Sequence, residues 1–353
     1  MSRIVIKVGS NVITRPDGTL NGTRLSSIVD QIVALRRLGN EVILISSGAV
    51  AAGRQIVTPS HRLDTVSQRQ LFSAVGQARL INRYYDLFRD YDIICGQILT
   101  TKEGFGSRTH YLTQKHCMEV MLEQGVIPII NENDTVSVTE LMFTDNDELS
   151  GLVASMMGAD RLVILSNIDG IFDGDPSLPE SKVIRTVSND VSDLSDVVVA
   201  GKSTFGRGGM LTKSRIALQV AGEGIEVIIA NGQLDNILLS LDDPDTLCTR
   251  FQPGTPITGV KKWLAHSHDF VKGTLVVNAG AAESLRDSSR AVSLLPVGIV
   301  EVKGNFEKGD LVSITDEAGD DIALGCCDYS SDDLRPLLGQ RSLRPAVHYD
   351  YLY

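Results

Sequence analysis

The sequence predicts an α/β protein, a three-layer αβα sandwich around a mostly parallel sheet, followed by a small β-rich domain. Over the first 250 residues, apolar strand-like runs alternate with amphipathic helical stretches. The strands are continuously apolar rather than alternating, which is what a parallel sheet covered by helices on both faces requires. Beyond residue 275 the pattern changes to short strands separated by turn residues, which is typical of a β-rich domain.

The elements of the first region follow one another in β-α-β-α order, and this order predicts a doubly wound sheet. Six apolar runs are the predicted strands, at residues 3–8, 41–46, 93–99, 126–131, 161–166 and 226–230. Five amphipathic stretches are the predicted helices, at residues 23–38, 66–89, 109–124, 146–157 and 213–221.

A change of composition near residue 250 indicates a domain boundary. Pro244, Pro253, Gly254 and Pro256 cluster there, and a polar stretch follows at residues 266–269. Short strands are then predicted at residues 293–295, 298–302, 311–315 and 322–329. The predicted organisation is a first domain over residues 1–250, a linker over 251–274 and a second domain over 275–353.

Composition excludes several classes of protein. The chain has 353 residues, 42% of them hydrophobic and 22% charged, which is ordinary for a soluble globular protein. No apolar run approaches the roughly 20 residues that span a bilayer, and no targeting segment precedes the first strand, so we expect a cytoplasmic protein. The net charge of −11 is a poor match to a nucleic-acid backbone.

The pattern of cysteines and histidines does not predict a metal site. Five cysteines without a C-x-x-C spacing indicate reduced thiols. His266 and His268 have no cysteine or carboxylate partners at ligand spacing, so no metal-binding residues are predicted. Residues 201–204 imitate the end of a P-loop, but Asp196 stands where that motif requires glycine.

Five segments carry groups suited to binding an anion, and the first two follow the first two strands. Lys7 lies inside a run of branched aliphatic residues, where an ammonium group is costly unless it meets an anion. Gly9 follows and lets the backbone approach a ligand closely. The alternative is an edge-strand lysine with its head in solvent. Residues 46–53 are small and begin a predicted helix. They either leave its N-terminal N–H groups accessible to an anion or allow the helix to pack tightly against the sheet.

The other three segments are rich in acids, amides or glycine. Residues 131–134 follow an apolar strand, where open α/β sheets place ligands, although an Asx-rich turn is the alternative. Residues 145–150 begin a helix with more acids and amides than capping needs. Residues 206–213 form a glycine-rich loop ending in Lys213, as in an anion cradle or a flexible surface loop. Together the five segments predict a phosphoryl-transfer enzyme.

These motifs, in this order, resemble those of the glutamate 5-kinases, a family with the amino-acid-kinase fold and a C-terminal PUA domain. The resemblance covers essentially the full length, and residues 294–299 and 304–306 carry it in the second domain. Two positions depart from the family pattern. Thr144 stands where members commonly have glycine, and Arg207 where the loop often has a small residue.

The resemblance implies transfer of the γ-phosphoryl group of ATP to the side-chain carboxylate of L-glutamate. The product is L-glutamyl 5-phosphate, at the start of proline biosynthesis, and the alternative is a related kinase that acts on N-acetylglutamate or aspartate. By matching positions, the residues that hold glutamate are Ser47, Asp134 and Asn146. The ATP-binding residues are Lys7, Ser166, Asn167, Arg207, Gly208, Gly209, Met210, Leu211, Thr212 and Lys213. The catalytic residues are the lysines Lys7 and Lys213, which flank the transferred group, and Asp147, which orients both lysines.

The implied chemistry suits these residues. A glutamate side chain has a pKa of about 4.3 and is already an anion at neutral pH, so the reaction needs no general base. The two lysines, Mg²⁺ and helix N-termini would counter the repulsion between the two anions.

The resemblance also implies a homo-oligomer and inhibition by proline. Residues 275–353 carry seven basic and thirteen acidic side chains, so RNA binding by the second domain is not expected.

Overall fold

The computed structural model describes residues 1–106, 108–136, 146–176, 178–191, 193–194, 209–256, 259–266, 270–287, 292–341 and 344–353. The chain divides into two compact units. The first consists of Met1–Lys102 and Thr113–Pro256, and the second of Glu103–Leu112 and Ile257–Tyr353. Thr144, His268 and the P-loop-like residues 201–204 lie outside the described residues.

An eight-stranded sheet forms the centre of the first unit. Its strands are β1 (Arg3–Val8), β2 (Glu41–Ser46), β3 (Cys95–Thr100), β4 (Ile127–Glu132), β5 (Arg161–Ser166), β6 (Thr186–Val187), β7 (Glu226–Asn231) and β8 (Cys248–Phe251). Their spatial order is β3-β4-β2-β1-β5-β7-β8-β6. Between these described strands, β7 and β8 pair antiparallel and the other neighbours pair parallel. The predicted α/β fold with a mostly parallel sheet is therefore confirmed.

The helices of the first unit connect these strands. They are α1 (Ser10–Ile13), α2 (Gly22–Arg37), α3 (Ala49–Arg54), α4 (Thr65–Arg89), α6 (Arg108–Glu123), α7 (Asn146–Met157), α8 (Met210–Gly222) and α9 (Ile237–Ser240). Helix α5 (Glu103–Gly106) and the first residues of α6 belong to the second unit. Asp64 caps α4, because its side chain accepts the backbone N–H groups of Val66 and Ser67. Among the helices of the described ranges, none is both long and apolar enough to cross a bilayer.

The strand β1 lies at the centre of the sheet and is buried on both faces. Val5, Ile6 and Val8 have no exposed surface, and β1 pairs with β2 on one side and with β5 on the other. Three strands, β1, β2 and β5, have the predicted bounds, and β3, β4 and β7 differ by one or two residues. The short strands β6 and β8 were not predicted, because two or four residues carry too little periodic signal.

A five-stranded sheet forms the second unit. Its strands are β9 (Gly273–Val277), β10 (Ile299–Gly304), β11 (Leu311–Asp316), β12 (Asp321–Cys327) and β13 (Val347–Leu352). Their order is β10-β9-β11-β12-β13, and β9 and β11 pair parallel while the other neighbours pair antiparallel. This confirms the predicted β-rich C-terminal part. At the predicted strand 293–295 the structure has only an isolated bridge from Leu294 to Val347.

A tryptophan from the segment predicted as a linker is a core residue of the second unit. Helix α10 (Gly259–Ala265) carries Trp263, which is 2% exposed. Its indole N–H donates to the backbone oxygen of Phe105 at 2.9 Å. The guanidinium of Arg108 lies 5.2 Å from the centre of the indole ring, in the range of a cation–π contact. Phe105 and Arg108 are thereby tied into the second unit.

Helices α3 and α4 cross at a contact that only glycine allows. A Cβ atom on Gly76 would lie 1.8 Å from the backbone oxygen of Ala49, and one on Gly53 would lie 1.9 Å from that of Phe72. Both neighbours are backbone atoms, which cannot rotate away as a side chain would. The two glycines therefore set the distance between α3, which follows β2, and α4.

We expect Gly76→Ala to destabilise the protein by about 2 kcal/mol or more, because the added methyl forces the two helices apart. The measurement is the free energy of urea unfolding of the full chain. The matched control is Gly222→Ala at the end of α8, where an added Cβ meets nothing within 4 Å. We expect that control to stay within about 0.5 kcal/mol of the wild type. Equal stabilities for the two variants would contradict this account of the crossing.

Candidate active site

The candidate site lies at the carboxyl edge of the eight-stranded sheet. Strands β1, β2, β4, β5 and β7 run parallel, so their carboxyl ends meet at one edge, where open α/β sheets bind ligands. Because of this topology, several residues predicted from the sequence stand at that edge. Ser47 directly follows β2, Asp134 lies two residues beyond β4, and Ser166 ends β5.

Two lysines meet one buried carboxylate at this edge. The Lys7 ammonium lies 2.5 Å from Oδ1 of Asp147, and the Lys213 ammonium lies 2.7 Å from Oδ2. Lys7 comes from β1, Asp147 from the first turn of α7 and Lys213 from the first turn of α8. The side chain of Asp147 is fully buried, and those of Lys7 and Lys213 are 5% and 13% exposed. The structure thus brings the three predicted catalytic residues together.

The protonation of Asp147 follows from the balance of burial and charge. Burial alone raises the pKa of this carboxyl group, since it disfavours the charged form. The two ammonium groups and their hydrogen bonds outweigh burial and lower the pKa to about 2. Asp147 is therefore ionised at neutral pH and accepts from both lysines.

The burial of Lys7 decides between the two interpretations of that residue. Lys7 lies on a central strand rather than an edge strand, and it is only 4% exposed. Its head therefore does not lie in bulk solvent. A Cβ atom at Gly9 would lie 3.2 Å from the Leu165 backbone oxygen and 3.5 Å from the Lys7 nitrogen. Glycine at this position keeps the space beside the ammonium group clear.

The turn between β2 and α3 also requires glycine. Gly48 has φ = 104°, which places it in the left-handed region that L side chains rarely adopt. This turn presents the hydroxyl of Ser47, which accepts a hydrogen bond from the Asn146 amide at 2.8 Å. The same amide nitrogen donates to the Asn131 side-chain oxygen at 2.9 Å. Two of the predicted substrate residues, Ser47 and Asn146, are therefore in direct contact.

The third predicted substrate residue, Asp134, is held by helix α4. The Arg69 guanidinium donates through Nε to Oδ1 of Asp134 at 2.6 Å and through Nη2 to Oε2 of Glu132 at 2.7 Å. The Ser73 hydroxyl donates to the other oxygen of Asp134 at 3.0 Å. Asp134 and Glu132 are 6% and 3% exposed. One guanidinium thus faces two buried carboxylates.

Sequence reasoning missed the contribution of helix α4. Arg69, Ser73 and Gln77 recur every four residues and so lie on one face of the helix. The Gln77 side-chain oxygen accepts from the Asn131 amide at 2.9 Å. A polar stripe of this spacing was present in the sequence. It does not by itself distinguish a site from a solvated face, so the stripe could not have been assigned without the structure.

The described members of the predicted nucleotide site come from the end of β5 and the start of helix α8. Ser166 is 7% exposed at the end of β5, and Asn167 follows it on the surface. Helix α8 begins after Gly209, and Met210, Leu211 and Thr212 lead to Lys213 in its first turn. The N-terminus of this helix carries a partial positive charge suited to phosphate. Arg207 and Gly208 lie outside the described residues.

We expect part of the acid sensitivity of the fold to come from Asp147. Its pKa falls from the usual 3.8 to about 2 in the folded protein, so its stabilisation is complete above about pH 4 and is lost as the pH falls towards 2. The measurement is urea unfolding of the wild type and of Asp147→Asn between pH 7 and pH 3. The stability difference between them should shrink by about 1 kcal/mol by pH 3. A difference that stays constant over this range would contradict the assignment.

Comparison with known proteins identifies both parts of the chain. Residues 2–231 match the model of the amino acid kinase family, and residues 273–349 match the PUA domain. Among solved structures, an isopentenyl phosphate kinase substrate complex has a TM-score of 0.51 at 15% identity, over 71% of this chain and 100% of that chain. Carbamate kinase from Giardia lamblia bound to AMP-PNP has a TM-score of 0.51 at 16% identity, over 71% and 98%. These two likenesses show the fold alone.

Relatives of high sequence identity extend over the whole chain. A glutamate 5-kinase of Bacteroides thetaiotaomicron is 59% identical over 355 residues, covering 100% of this chain and 98% of the relative. A glutamate 5-kinase of Chlorobaculum tepidum is 46% identical over 355 residues, covering 99% and 97%. The two family models and these full-length matches agree with the motif order found in the sequence, so the chain belongs to the glutamate 5-kinase family.

Proposed function

We propose that this protein is a kinase that transfers the γ-phosphoryl group of ATP to the side-chain carboxylate of L-glutamate, giving L-glutamyl 5-phosphate. This reaction is the first step of proline biosynthesis. The observation that carries the proposal is the pair of ammonium groups on one buried carboxylate, Lys7 and Lys213 on Asp147. The full-length similarity to glutamate 5-kinases supports glutamate as the acceptor.

The lysine pair would act on the charge that moves in the reaction. The acceptor carboxylate and the γ-phosphate are both anions, so their repulsion must be offset before they react. Lys7 and Lys213 would stabilise the transferred group from two sides, and Asp147 would orient both lysines. A positioned donor in a water-excluded site acts most strongly where charge develops in the transition state.

The remaining assignments divide the site into an acceptor side and a nucleotide side. Ser47, Asp134 and Asn146 would hold glutamate. Two sets of contacts support a preformed acceptor side. Asn146 donates a hydrogen bond to Ser47, and two side chains of α4, Arg69 and Ser73, donate to Asp134. The nucleotide would contact Lys7, Ser166 and Asn167, together with the loop and helix start formed by Arg207, Gly208, Gly209, Met210, Leu211, Thr212 and Lys213.

Mg²⁺ fits this site as a companion of ATP rather than as a resident cofactor. Mg²⁺ is usually bound through substrate phosphates and one or two carboxylates. Both oxygens of Asp147 already contact lysine ammonium groups, at 2.5 and 2.7 Å, so a metal ion on this carboxylate would be repelled by two nearby positive charges. When bound with ATP, the ion would neutralise phosphate charge.

We further propose that residues 1–250 form the kinase domain, 251–274 a linker and 275–353 the PUA domain. The family models, over 2–231 and 273–349, support a division of this kind. A homo-oligomer, inhibition by proline, a cytoplasmic location and the lack of RNA binding stay predictions. An RNA retention assay at two salt concentrations tests the lack of RNA binding. The reaction rate with added proline tests inhibition by proline.

The acceptor is tested by ATP turnover with a panel of carboxylates. We expect ADP formation by the purified protein to depend on L-glutamate and to be at least about tenfold slower, in kcat/KM, with aspartate or N-acetylglutamate. The measurement is a coupled ADP assay in the presence of Mg²⁺. Faster turnover with N-acetylglutamate or aspartate than with L-glutamate would contradict the proposal that glutamate is the acceptor.

The lysine pair is tested by Lys213→Ala. We expect kcat to fall by about 10²–10³, because an electrostatic donor to the transferred group is lost. The matched control is Lys115→Ala, which removes a half-exposed lysine that pairs with Glu119 on the surface of α6. That control should keep the wild-type rate. Near-normal turnover of Lys213→Ala would refute the role assigned to this lysine.

A further inference from the structure

The loop that follows β5 is held at its far end by a buried threonine. The loop begins after Ser166 and reaches Ile171, whose backbone N–H donates to Oγ1 of Thr249 on β8 at 2.8 Å. Thr249 and Ile171 have no exposed surface. A buried backbone N–H group needs an acceptor, so the Thr249 hydroxyl fixes where this end of the loop lies.

A glycine lets the loop approach this threonine. A Cβ atom on Gly170 would lie 2.5 Å from Oγ1 of Thr249 and 3.0 Å from the backbone nitrogen of the same residue. The backbone nitrogen cannot rotate away, so a larger residue would push the loop off β8. In the sheet, β7 lies between β5 and β8, so the loop spans the carboxyl end of β7.

The start and the middle of the loop are held at that end of β7. Asn231, the last residue of β7, donates through its amide to Oδ1 of Asp169 at 2.9 Å. The side-chain oxygen of Asn231 accepts the backbone N–H of Gln233 at 3.0 Å, which orients the amide. The backbone N–H of Gly232 donates to the backbone oxygen of Ser166 at 2.8 Å. The loop is therefore bonded to two neighbouring strands at three points.

These three points bear on nucleotide binding because of what lies between them. Ser166 and Asn167 are proposed to contact ATP, and the bonded positions Ser166, Asp169 and Ile171 lie at or on both sides of Asn167. A binding segment that is already fixed loses less conformational freedom when its ligand arrives. The contacts to β7 and β8 therefore preorganise the part of the loop that carries the two proposed nucleotide residues.

We propose that Thr249 and the Asn231–Asp169 pair are positioning residues of the nucleotide side, which hold the loop after β5 so that Ser166 and Asn167 meet ATP without rearrangement. The proposal rests on the proposed function, because that function places ATP at this loop. Thr249 and the pair act through the loop and not on the transferred group. Their loss should weaken nucleotide binding and leave acceptor binding unchanged.

The first test removes the hydroxyl of Thr249. Thr249→Val has the same shape but cannot accept from Ile171, whereas Thr249→Ser keeps the hydroxyl. The matched control, Thr246→Val, removes the hydroxyl that donates to the Ser240 backbone oxygen at 2.6 Å, just before β8. The readouts for the full chain are Kd for AMP-PNP with Mg²⁺, KM for ATP, KM for glutamate and kcat. Thermal unfolding verifies that each variant is folded.

We expect Thr249→Val to raise Kd for AMP-PNP and KM for ATP by about three- to tenfold, because a buried N–H group loses its acceptor. KM for glutamate and kcat should change less than about twofold. Thr249→Ser should recover most of the loss, and Thr246→Val should match the wild type in all four readouts. If Thr249→Val does not fold, the variants of the pair provide the test.

The second test exchanges the two members of the pair. Asn231→Asp sets two carboxylates against each other, so we expect Kd for AMP-PNP to rise by about tenfold or more. Asp169→Asn keeps an acceptor oxygen and should raise it by about two- to threefold. The double variant restores one donor and one acceptor at the original net charge, and its carboxylate still accepts from Gln233. It should bind AMP-PNP within about threefold of the wild type.

Three results would overturn the proposal. In the first, Thr249→Val and Asn231→Asp are folded and bind AMP-PNP like the wild type. In the second, the double variant binds AMP-PNP no better than Asn231→Asp, so that the pairing itself has no effect. In the third, KM for glutamate and kcat worsen as much as nucleotide binding, as a general structural defect would cause.

The binding readout separates this proposal from the proposed function. AMP-PNP binding needs no acceptor, so it tests the positioning residues whichever carboxylate is phosphorylated. A wild type that binds AMP-PNP but does not phosphorylate glutamate refutes the proposed acceptor alone. A wild type that turns over ATP with glutamate, together with any of the three results above, refutes the positioning role alone.

Discussion

The site depends on the buried carboxylate of Asp147 between the ammonium groups of Lys7 and Lys213. An ionised carboxylate with no solvent exposure is tolerable only when cations compensate its charge. The two compensating cations are far apart in the sequence, on the first strand and on helix α8. Folding must therefore bring β1, α7 and α8 to one point, and the parallel sheet does so by placing its carboxyl ends along one edge.

Helix α7 joins the two halves of the site. Its adjacent residues Asn146 and Asp147 point to different partners: Asn146 donates to Ser47 and Asn131, while Asp147 accepts from the two lysines. The proposed acceptor side and the proposed phosphoryl-transfer side are thus one residue apart at the start of this helix. A shift of α7 would disturb both sides together, which makes its packing against the sheet a condition for the geometry of each.

Local periodicity accounts for the parts of the fold that the sequence predicted. Continuous apolar runs marked β1, β2 and β5 with their observed bounds, because strands covered on both faces need apolar residues throughout. Strand β9 was assigned to the linker and the domain start. Its five residues give only a short apolar run, and its pairing with β10 and β11 establishes it as a strand. The apolar pattern of a strand does not say which distant segment it pairs with.

The sequence by itself determined which segments could form an anion site. Lys7, Ser47, Asp134 and Asp147 stand at strand ends or helix starts, and a parallel sheet gathers such positions at one edge. Only the tertiary structure decided that both lysines share the carboxylate of Asp147 and that Arg69 bridges two carboxylates from helix α4. The reason is physical: a strand end is marked by the local change from apolar to polar residues, whereas the face that a helix turns towards the site is set by packing against its neighbours.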